Sequence, residues 1–143
     1  ELPAWLVLRD AMYGVPNIDF RGVKISCDRH GPRFDPDTGT RVPNPEMLAL
    51  VREYLGRRLP AMKNATLVEA RVCQYENTSN GDLLLDRHPD FDNVWIAGGG
   101  SGHGFKHGPM VGKHLAGLIT GRTASEPKFS LATKATIQQR AVY

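Results

Sequence analysis

The chain of 143 residues has little cysteine, little net charge and no long apolar run. Its two cysteines, Cys27 and Cys73, are too few for a disulfide framework and belong to no CxxC metal motif. We therefore expect a reducing compartment, the cytoplasm. No apolar stretch approaches the ~20 residues that a membrane helix needs, and the start of the chain lacks the basic and apolar regions of a signal peptide. We expect no membrane association.

The formal net charge is only +3, and the lysines and arginines are scattered along the chain. Nucleic-acid binding needs a basic patch or stripe, so we expect no nucleic-acid partner. Because 41% of the residues are hydrophobic, the chain is long enough for one core but short for two ordinary domains. The sequence predicts a single globular unit over residues 1–143.

The chain does not begin with methionine, and it opens on a dense apolar stretch from Trp5 to Leu8. We expect it to be the C-terminal fragment of a longer chain, although a processed or trimmed product would begin in the same way.

The first half of the chain alternates between strand signals and turn signals. From Met12 to Lys24, short apolar pieces are separated by Gly14 and Pro16, which is typical of strands joined by turns. Residues 28–43 are rich in glycine, proline and aspartate, and this composition predicts a surface loop.

A helix is predicted between Asn44 and Pro60. Asn44 is a favoured N-cap residue, and Pro45 suits the first helical position. Apolar residues line one face of this helix: Leu48, Val51, Tyr54, Leu55 and Leu59.

Residues 66–75 alternate between two faces, which predicts a strand with Cys73 and Tyr75 on the same side. The dipeptide at Asn80 and Gly81 predicts a hairpin-type turn before the next apolar run.

The most distinctive segment contains five glycines within residues 98–104. Val94 to Ala97 predict a short buried strand before it, and the missing Cβ atoms would let a large flat ligand approach the backbone. From Pro109 onward apolar residues recur at helical spacing, with Gly121 as the stop. The start of that helix would stabilise an electron-rich ring edge in the loop.

Three side chains of the sequence are candidates for chemistry, each with a plainer alternative. Cys73 is a candidate for covalent attachment to a cofactor, or a buried residue that acts as a small hydrophobe. Lys106 is a candidate ligand for a carboxylate or a negative ring, or a solvated loop lysine. Lys24 projects from an apolar strand toward a cavity, or it extends to solvent.

His103 and His107 are four residues apart, but the flanking glycines and the missing glutamate do not match a zinc-protease helix. We expect no metal.

Residues 71–78, 86–89 and 98–106 together resemble the C-terminal part of the FAD-dependent amine oxidoreductases related to monomeric sarcosine oxidase, in the D-amino acid oxidase superfamily. N-methyltryptophan oxidase, pipecolate oxidase and fructosyl amino acid oxidase belong to the same group. The similarity runs from about Met12 to Gly121.

The resemblance implies an α+β fold that combines parts of two domains. Residues 1–75 would be mainly antiparallel strands of a substrate domain with one helix. Residues 76–121 would form the hairpin, glycine loop and helix that contact the flavin, and residues 122–143 a tail that wraps the body or a partner. The dinucleotide-binding half with its Gly-x-Gly-x-x-Gly motif is missing, so a longer chain or a separate chain would supply it. We expect the isolated chain to bind FAD poorly.

The resemblance also implies roles for individual residues. Cys73 matches a cysteine that carries FAD covalently, Tyr75 and Lys106 match substrate-binding residues, and Lys24 matches a catalytic lysine that promotes reaction with oxygen. The family's active-site histidine falls on Asp28, so we carry no role over from it. The implied cofactor contacts are Cys73, Gly100, Ser101, Gly102, His103, Gly104, Phe105 and Lys106.

The implied activity is oxidation of an amine or amino acid, with hydride passing to the flavin, an imine as product and O₂ reduced to hydrogen peroxide. Two alternatives stay open. One is a dehydrogenase that passes electrons to a carrier, and the other is a non-catalytic subunit that docks on a separate FAD-binding chain.

Overall fold

The computed structural model describes residues 3–135. The chain divides into two compact units, the first ending at Val72 and the second beginning at Cys73. Among residues 3–135 the strands pair within their own unit, and the division lies close to the boundary expected between residues 75 and 76. A single globular unit over residues 1–143 stays a prediction. The architecture is α+β with antiparallel strands, as predicted.

The first unit is built on a three-stranded antiparallel sheet in the order β1-β2-β3. Its strands are β1 (Trp5–Val7), β2 (Met12–Val15) and β3 (Lys24–Cys27). The strands joined by turns were therefore predicted correctly, and β1 was not predicted. Trp5 is paired with Gly14, and its ring covers that glycine so closely that a Cβ there would lie 2.3 Å from a ring carbon.

Helix α1 (Pro45–Arg58) confirms the helix predicted from its capping residues. The Asn44 side chain accepts hydrogen bonds from the backbone N–H groups of Glu46 at 2.7 Å and Met47 at 3.4 Å. These bonds satisfy donors that the first helical turn leaves unpaired. Tyr54 and Leu55 are buried, and the Tyr54 ring stacks on Trp5 with the centroids 6.0 Å apart.

The strand predicted for residues 66–75 is wrong, because the structure assigns no strand to them. Alternation indicates an extended backbone, but a strand also needs a neighbour to complete its hydrogen-bond ladder. The loop predicted at residues 28–43 is confirmed, since it contains no helix or strand and most of its residues are exposed.

The second unit contains an antiparallel ribbon of β4 (Leu84–Arg87) and β5 (Trp95–Gly98). The turn at Asn80 and Gly81 is confirmed, with Gly81 at φ +73°. Because β4 follows the turn but no strand precedes it directly, the turn does not form a hairpin. The strand predicted at residues 94–97 is confirmed as β5, but the prediction that it is buried is wrong. Trp95 and Ile96 are half-buried while Val94 and Ala97 are exposed, because a two-stranded ribbon covers little of its own surface.

Helix α2 (Gly108–Ile119) confirms the second predicted helix. Pro109 lies in its first turn, and Gly121 follows its end at φ +68°, the left-handed conformation typical of a helix stop. Neither α1 nor α2 is long and apolar enough to cross a membrane.

Residues 127–135, here called the C-terminal strap, pack against their own unit. Ser130 Oγ and the Leu131 backbone N–H both donate to Asp86 Oδ2, at 3.1 Å and 2.8 Å. Lys134 Nζ donates to Asn80 Oδ1 at 2.9 Å. This part of the predicted tail packs on the second unit, and residues 136–143 lie outside the described residues.

Candidate functional site

The glycine loop, residues 98–104, follows directly from β5 and turns sharply through left-handed backbone. Gly99, Ser101 and Gly102 have φ values of +74°, +47° and +77°. This conformation is easy for glycine and unfavourable for serine. Ser101 is only 3% exposed, and its hydroxyl donates to the Gly99 carbonyl at 3.2 Å. The sharp turn therefore uses both glycine freedom and an internal hydrogen bond.

The ring of Tyr75 lies on Gly102. A Cβ at Gly102 would be 2.6 Å from Tyr75 Cζ, which is shorter than any normal contact. Glycine is thus required at position 102 for two reasons, the positive φ and the space taken by the ring. The structure brings together Tyr75 and the glycine loop, both of which the sequence indicated as site residues.

Glu76 binds the glycine loop at two points. Its carboxylate Oε2 accepts a hydrogen bond from the Gly99 backbone N–H at 3.1 Å, and its backbone carbonyl accepts one from the Ser101 N–H at 3.0 Å. Sequence reasoning assigned Glu76 no role. No periodicity marks it, and the available signal was its place beside Tyr75 within residues 71–78, one of the segments that carry the resemblance.

Thr78 supports the beginning of the loop from the same segment. A Cβ at Gly99 would lie 2.4 Å from Thr78 Cγ2, so the backbone approaches this side chain closely. The Thr78 hydroxyl donates to the Asp82 carbonyl at 2.6 Å, which holds it in the turn before β4. Residues 75–78 therefore contact the loop through a ring, a carboxylate and a methyl group.

The second half of the loop folds back on the first. A Cβ at Gly104 would lie 2.7 Å from the Gly100 Cα, and the His103 N–H donates to the Gly100 carbonyl at 3.0 Å. The loop then opens to solvent, because Phe105 is 100% exposed and Lys106 is exposed.

Helix α2 begins immediately after these exposed residues. No side chain caps its start and no acidic residue lies in its first turn, whereas Lys106 and His107 directly precede it. The positive end of the helix dipole and two basic side chains are thus presented together. This combination fits an electron-rich ring edge such as that of a flavin.

Cys73 is a free, exposed cysteine at the start of the second unit. Within this chain it is not the buried hydrophobe of the alternative interpretation. Tyr75, two residues on, is half-buried. Exposure is a condition for a thiol to react, because a buried structural cysteine is inert.

Lys24 belongs to the first unit, where it is the first residue of β3 and is exposed. Its Nζ lies 5.2 Å from the centroid of the Tyr13 ring, within the range of a cation–π contact. The two side chains share a sheet face, since Lys24 pairs with Val15, two residues from Tyr13. The predicted strand position of this lysine is confirmed.

Among residues 3–135, no group of three or more His, Cys, Asp or Glu side chains is placed to hold a metal ion. His103 is half-buried in the glycine loop, and His107 is exposed where α2 begins.

Asp86 links the β4–β5 ribbon to the C-terminal strap. Burial raises the pKa of Asp86, but hydrogen bonds from the Leu131 and Arg87 backbone N–H groups and from the Ser130 hydroxyl outweigh it and hold the pKa below its ordinary value. On the strap itself, burial lowers the pKa of Lys134, and the charge of Asp82 opposes that shift only in part. The strap is therefore held by a carboxylate in its ionised form.

Comparison with known proteins identifies relatives along almost the whole chain. The profile of the family described as FAD dependent oxidoreductase matches residues 2–118. Monomeric sarcosine oxidase from Bacillus sp. (strain NS-129) is 36% identical over 133 residues, covering 91% of this chain and 34% of that protein. Peroxisomal sarcosine oxidase from Homo sapiens is 35% identical over 124 residues, covering 85% of this chain and 31% of that protein.

A solved structure shares the fold. The crystal structure of fructosyl amine:oxygen oxidoreductase (Amadoriase I) from Aspergillus fumigatus superposes with a TM-score of 0.69 at 27% identity, covering 90% of this chain and 32% of that one. The chain thus spans about a third of the length of the proteins it matches.

Proposed function

Because the chain belongs to the family of FAD dependent oxidoreductases, we propose that it forms the flavin- and substrate-contacting part of an oxidase acting on CH–NH bonds of amines or amino acids. The sarcosine oxidases and the fructosyl amine oxidoreductase among its relatives support this substrate class. The first unit would contribute substrate-domain strands, and the second unit the contacts to the flavin.

One observation carries the proposal: the Tyr75 ring seats on Gly102, just ahead of the exposed Lys106 and the uncapped start of α2. A side chain suited to a substrate thereby rests on the loop that leads into a positive helix end suited to a flavin edge. When bound, FAD supplies the two-electron oxidation of the amine and the subsequent reduction of O₂ to hydrogen peroxide.

The side chains of the site have distinct tasks in this proposal. Tyr75 and Lys106 bind the substrate, the lysine through its charge on a carboxylate. Cys73, whose thiol is exposed, would be the residue that holds FAD covalently. Lys24 supplies the cation that favours reaction with oxygen, and its contact with Tyr13 holds the ammonium group in place. The backbone from Gly100 to Lys106 contacts the cofactor at the positive end of α2.

The FAD phosphates need a binding site from outside this chain, because no Gly-x-Gly-x-x-Gly motif is present. Since the chain spans about a third of its relatives, a preceding segment or a separate chain would provide that site. The isolated chain should accordingly quench FAD fluorescence only weakly. The free thiols of Cys27 and Cys73 favour a reducing compartment such as the cytoplasm.

The test is a chimera in which this chain replaces the matching segment of the Bacillus sarcosine oxidase. We expect the chimera to bind FAD and to produce peroxide with sarcosine or a fructosyl amine, the compounds named by its relatives. Binding of FAD without reduction by any amine would contradict the proposal, as would loss of FAD binding that the parent enzyme retains.

Two controls separate the alternatives. Reduction of an artificial electron carrier without peroxide would favour a dehydrogenase, and FAD binding only when the two parts are separate chains would favour a docking subunit. A Cys73→Ser chimera should release its flavin on acid precipitation while the Cys27→Ser chimera keeps it. Retention of flavin in the Cys73→Ser pellet would exclude the covalent assignment.

A further inference from the structure

We infer that Glu76 is a positioning residue that locks Tyr75 onto the glycine loop and so sets the distance between the substrate side and the cofactor side of the site. The functional half of this inference rests on the proposed function. The mechanical half rests on contacts within the second unit alone.

Glu76 holds the loop by two hydrogen bonds of different kinds. The bond from the Gly99 N–H to the carboxylate is charge-assisted, and the bond from the Ser101 N–H goes to the backbone carbonyl. The first depends on the side chain, while the second survives any substitution that leaves the backbone in place. Replacement of Glu76 therefore removes the bond from Gly99 and leaves the bond from Ser101, with which the effect can be compared.

The loop needs such external contacts because its backbone is in an unfavourable conformation. Ser101 has φ +47°, a region in which a non-glycine residue persists only when its surroundings hold it there. The two N–H groups that donate to Glu76 belong to Gly99 and Ser101, on either side of Gly100 and just before Gly102. They fix the part of the chain that lies under the Tyr75 ring.

Tyr75 and Glu76 are neighbours, so the same stretch of backbone carries the ring that packs on Gly102 and the carboxylate that binds Gly99. If the carboxylate releases Gly99, Glu76 holds the loop only through the bond from the Ser101 N–H, and the loop can shift relative to the ring that packs on Gly102. Phe105 and Lys106, which follow the loop, would move with it. A substitution at Glu76 should hence alter the site although the side chain does none of the chemistry.

The first experiment measures amide hydrogen exchange by NMR in this chain. Glu76→Ala should speed the exchange of Gly99 about tenfold or more, with a smaller change at Ser101. Glu76→Gln keeps an oxygen acceptor and should retain most of the protection. Glu53→Ala, a change at an exposed glutamate of α1, serves as the matched control and should leave both amides unchanged.

An unchanged Gly99 in Glu76→Ala would overturn the inference, as would a Glu76→Gln variant that exchanges as fast as Glu76→Ala. Equal acceleration of Leu85, which is only 2% exposed, would indicate general unfolding and would overturn it as well.

The second experiment places the same variants in the chimera with the Bacillus enzyme. Glu76→Ala should weaken FAD binding and raise KM about tenfold, and Glu76→Gln should restore both. Faster Gly99 exchange with unchanged FAD binding and KM would overturn the functional half while the proposed function stands. If the unsubstituted chimera binds no FAD, the proposed function fails and the functional half of the inference fails with it. The exchange experiment still decides whether the Glu76 carboxylate holds the glycine loop.

Discussion

Each of the two units contains a glycine that makes room for an aromatic ring. In the first unit Gly14 lies under Trp5 within a regular strand pair, and the ring also stacks on the buried Tyr54. In the second unit Gly102 lies under the half-buried Tyr75 in a loop with left-handed backbone.

The first glycine serves the packing of the core, and the second serves the construction of the candidate site. The Trp5 ring joins a sheet to a helix and leaves ordinary strand geometry in place. The Tyr75 ring instead covers a sharply turned backbone, and Glu76 beside it accepts the two hydrogen bonds that hold the turn. A glycine beside an aromatic ring therefore does not by itself indicate a functional site. The conformation of its backbone distinguishes a packing role from a role in a site.

Replacement of Gly102 by alanine should have the largest effect. The new Cβ would collide with the Tyr75 ring, and the alanine would be strained at φ +77°. We therefore expect the second unit to lose about 2–4 kcal/mol of stability. Urea unfolding followed by Trp95 fluorescence in a Trp5→Phe background measures this loss. A transition unmoved by Gly102→Ala would mean that the ring does not pack on this glycine.

Replacement of Gly14 by alanine should have the next largest effect. Its Cβ would lie 2.3 Å from the Trp5 ring, but no left-handed strain is added, so we expect a loss of about 1–3 kcal/mol in the first unit. Trp5 fluorescence in a Trp95→Phe background reports it. Gly31→Ala is the matched control, because nothing lies within 4 Å of its Cβ position. Equal effects of Gly14→Ala and Gly31→Ala would contradict the close packing.

Acidification should release the C-terminal strap from the second unit. Because the folded-state pKa of Asp86 is below its ordinary value, its stabilising contribution is complete above the unfolded-state pKa and is lost as the pH falls through the folded-state pKa. The Leu131 amide resonance should follow this titration, and Asp86→Asn should abolish it. A Leu131 signal that does not depend on pH in the unsubstituted chain would exclude Asp86 as the anchor of the strap.

Replacement of Gly112 by alanine should have the smallest effect, and in the opposite direction. Gly112 lies inside α2, nothing lies within 4 Å of its Cβ position, and alanine favours a helix by about 0.5–1 kcal/mol. The Trp95 unfolding transition should therefore move to slightly higher urea concentration. Destabilisation by Gly112→Ala would show that another part of the second unit packs against α2 at Gly112.

Elements with local signals were predicted well from the sequence. Helix α1 was recognisable from Asn44 and Pro45, and α2 from Pro109 and Gly121, because caps and stops act within a few residues of one another. The glycine loop was also recognisable, since glycine density is visible in the sequence.

The parts that were missed depend on residues distant in the sequence. The strand predicted at residues 66–75 lacks strand pairing, and alternation alone does not reveal whether a partner exists. Glu76 binds Gly99 and Ser101 across 23 and 25 residues of sequence, so no local pattern marks it.

The sequence by itself determined the family, the two helices with their ends, and the glycine-rich segment at residues 98–104, because backbone preferences and capping chemistry act within a few residues. Tertiary structure alone decided that Tyr75 rests on Gly102 and that Glu76 holds the loop beneath it. Such contacts form only when the folded chain brings distant residues within hydrogen-bond or van der Waals distance.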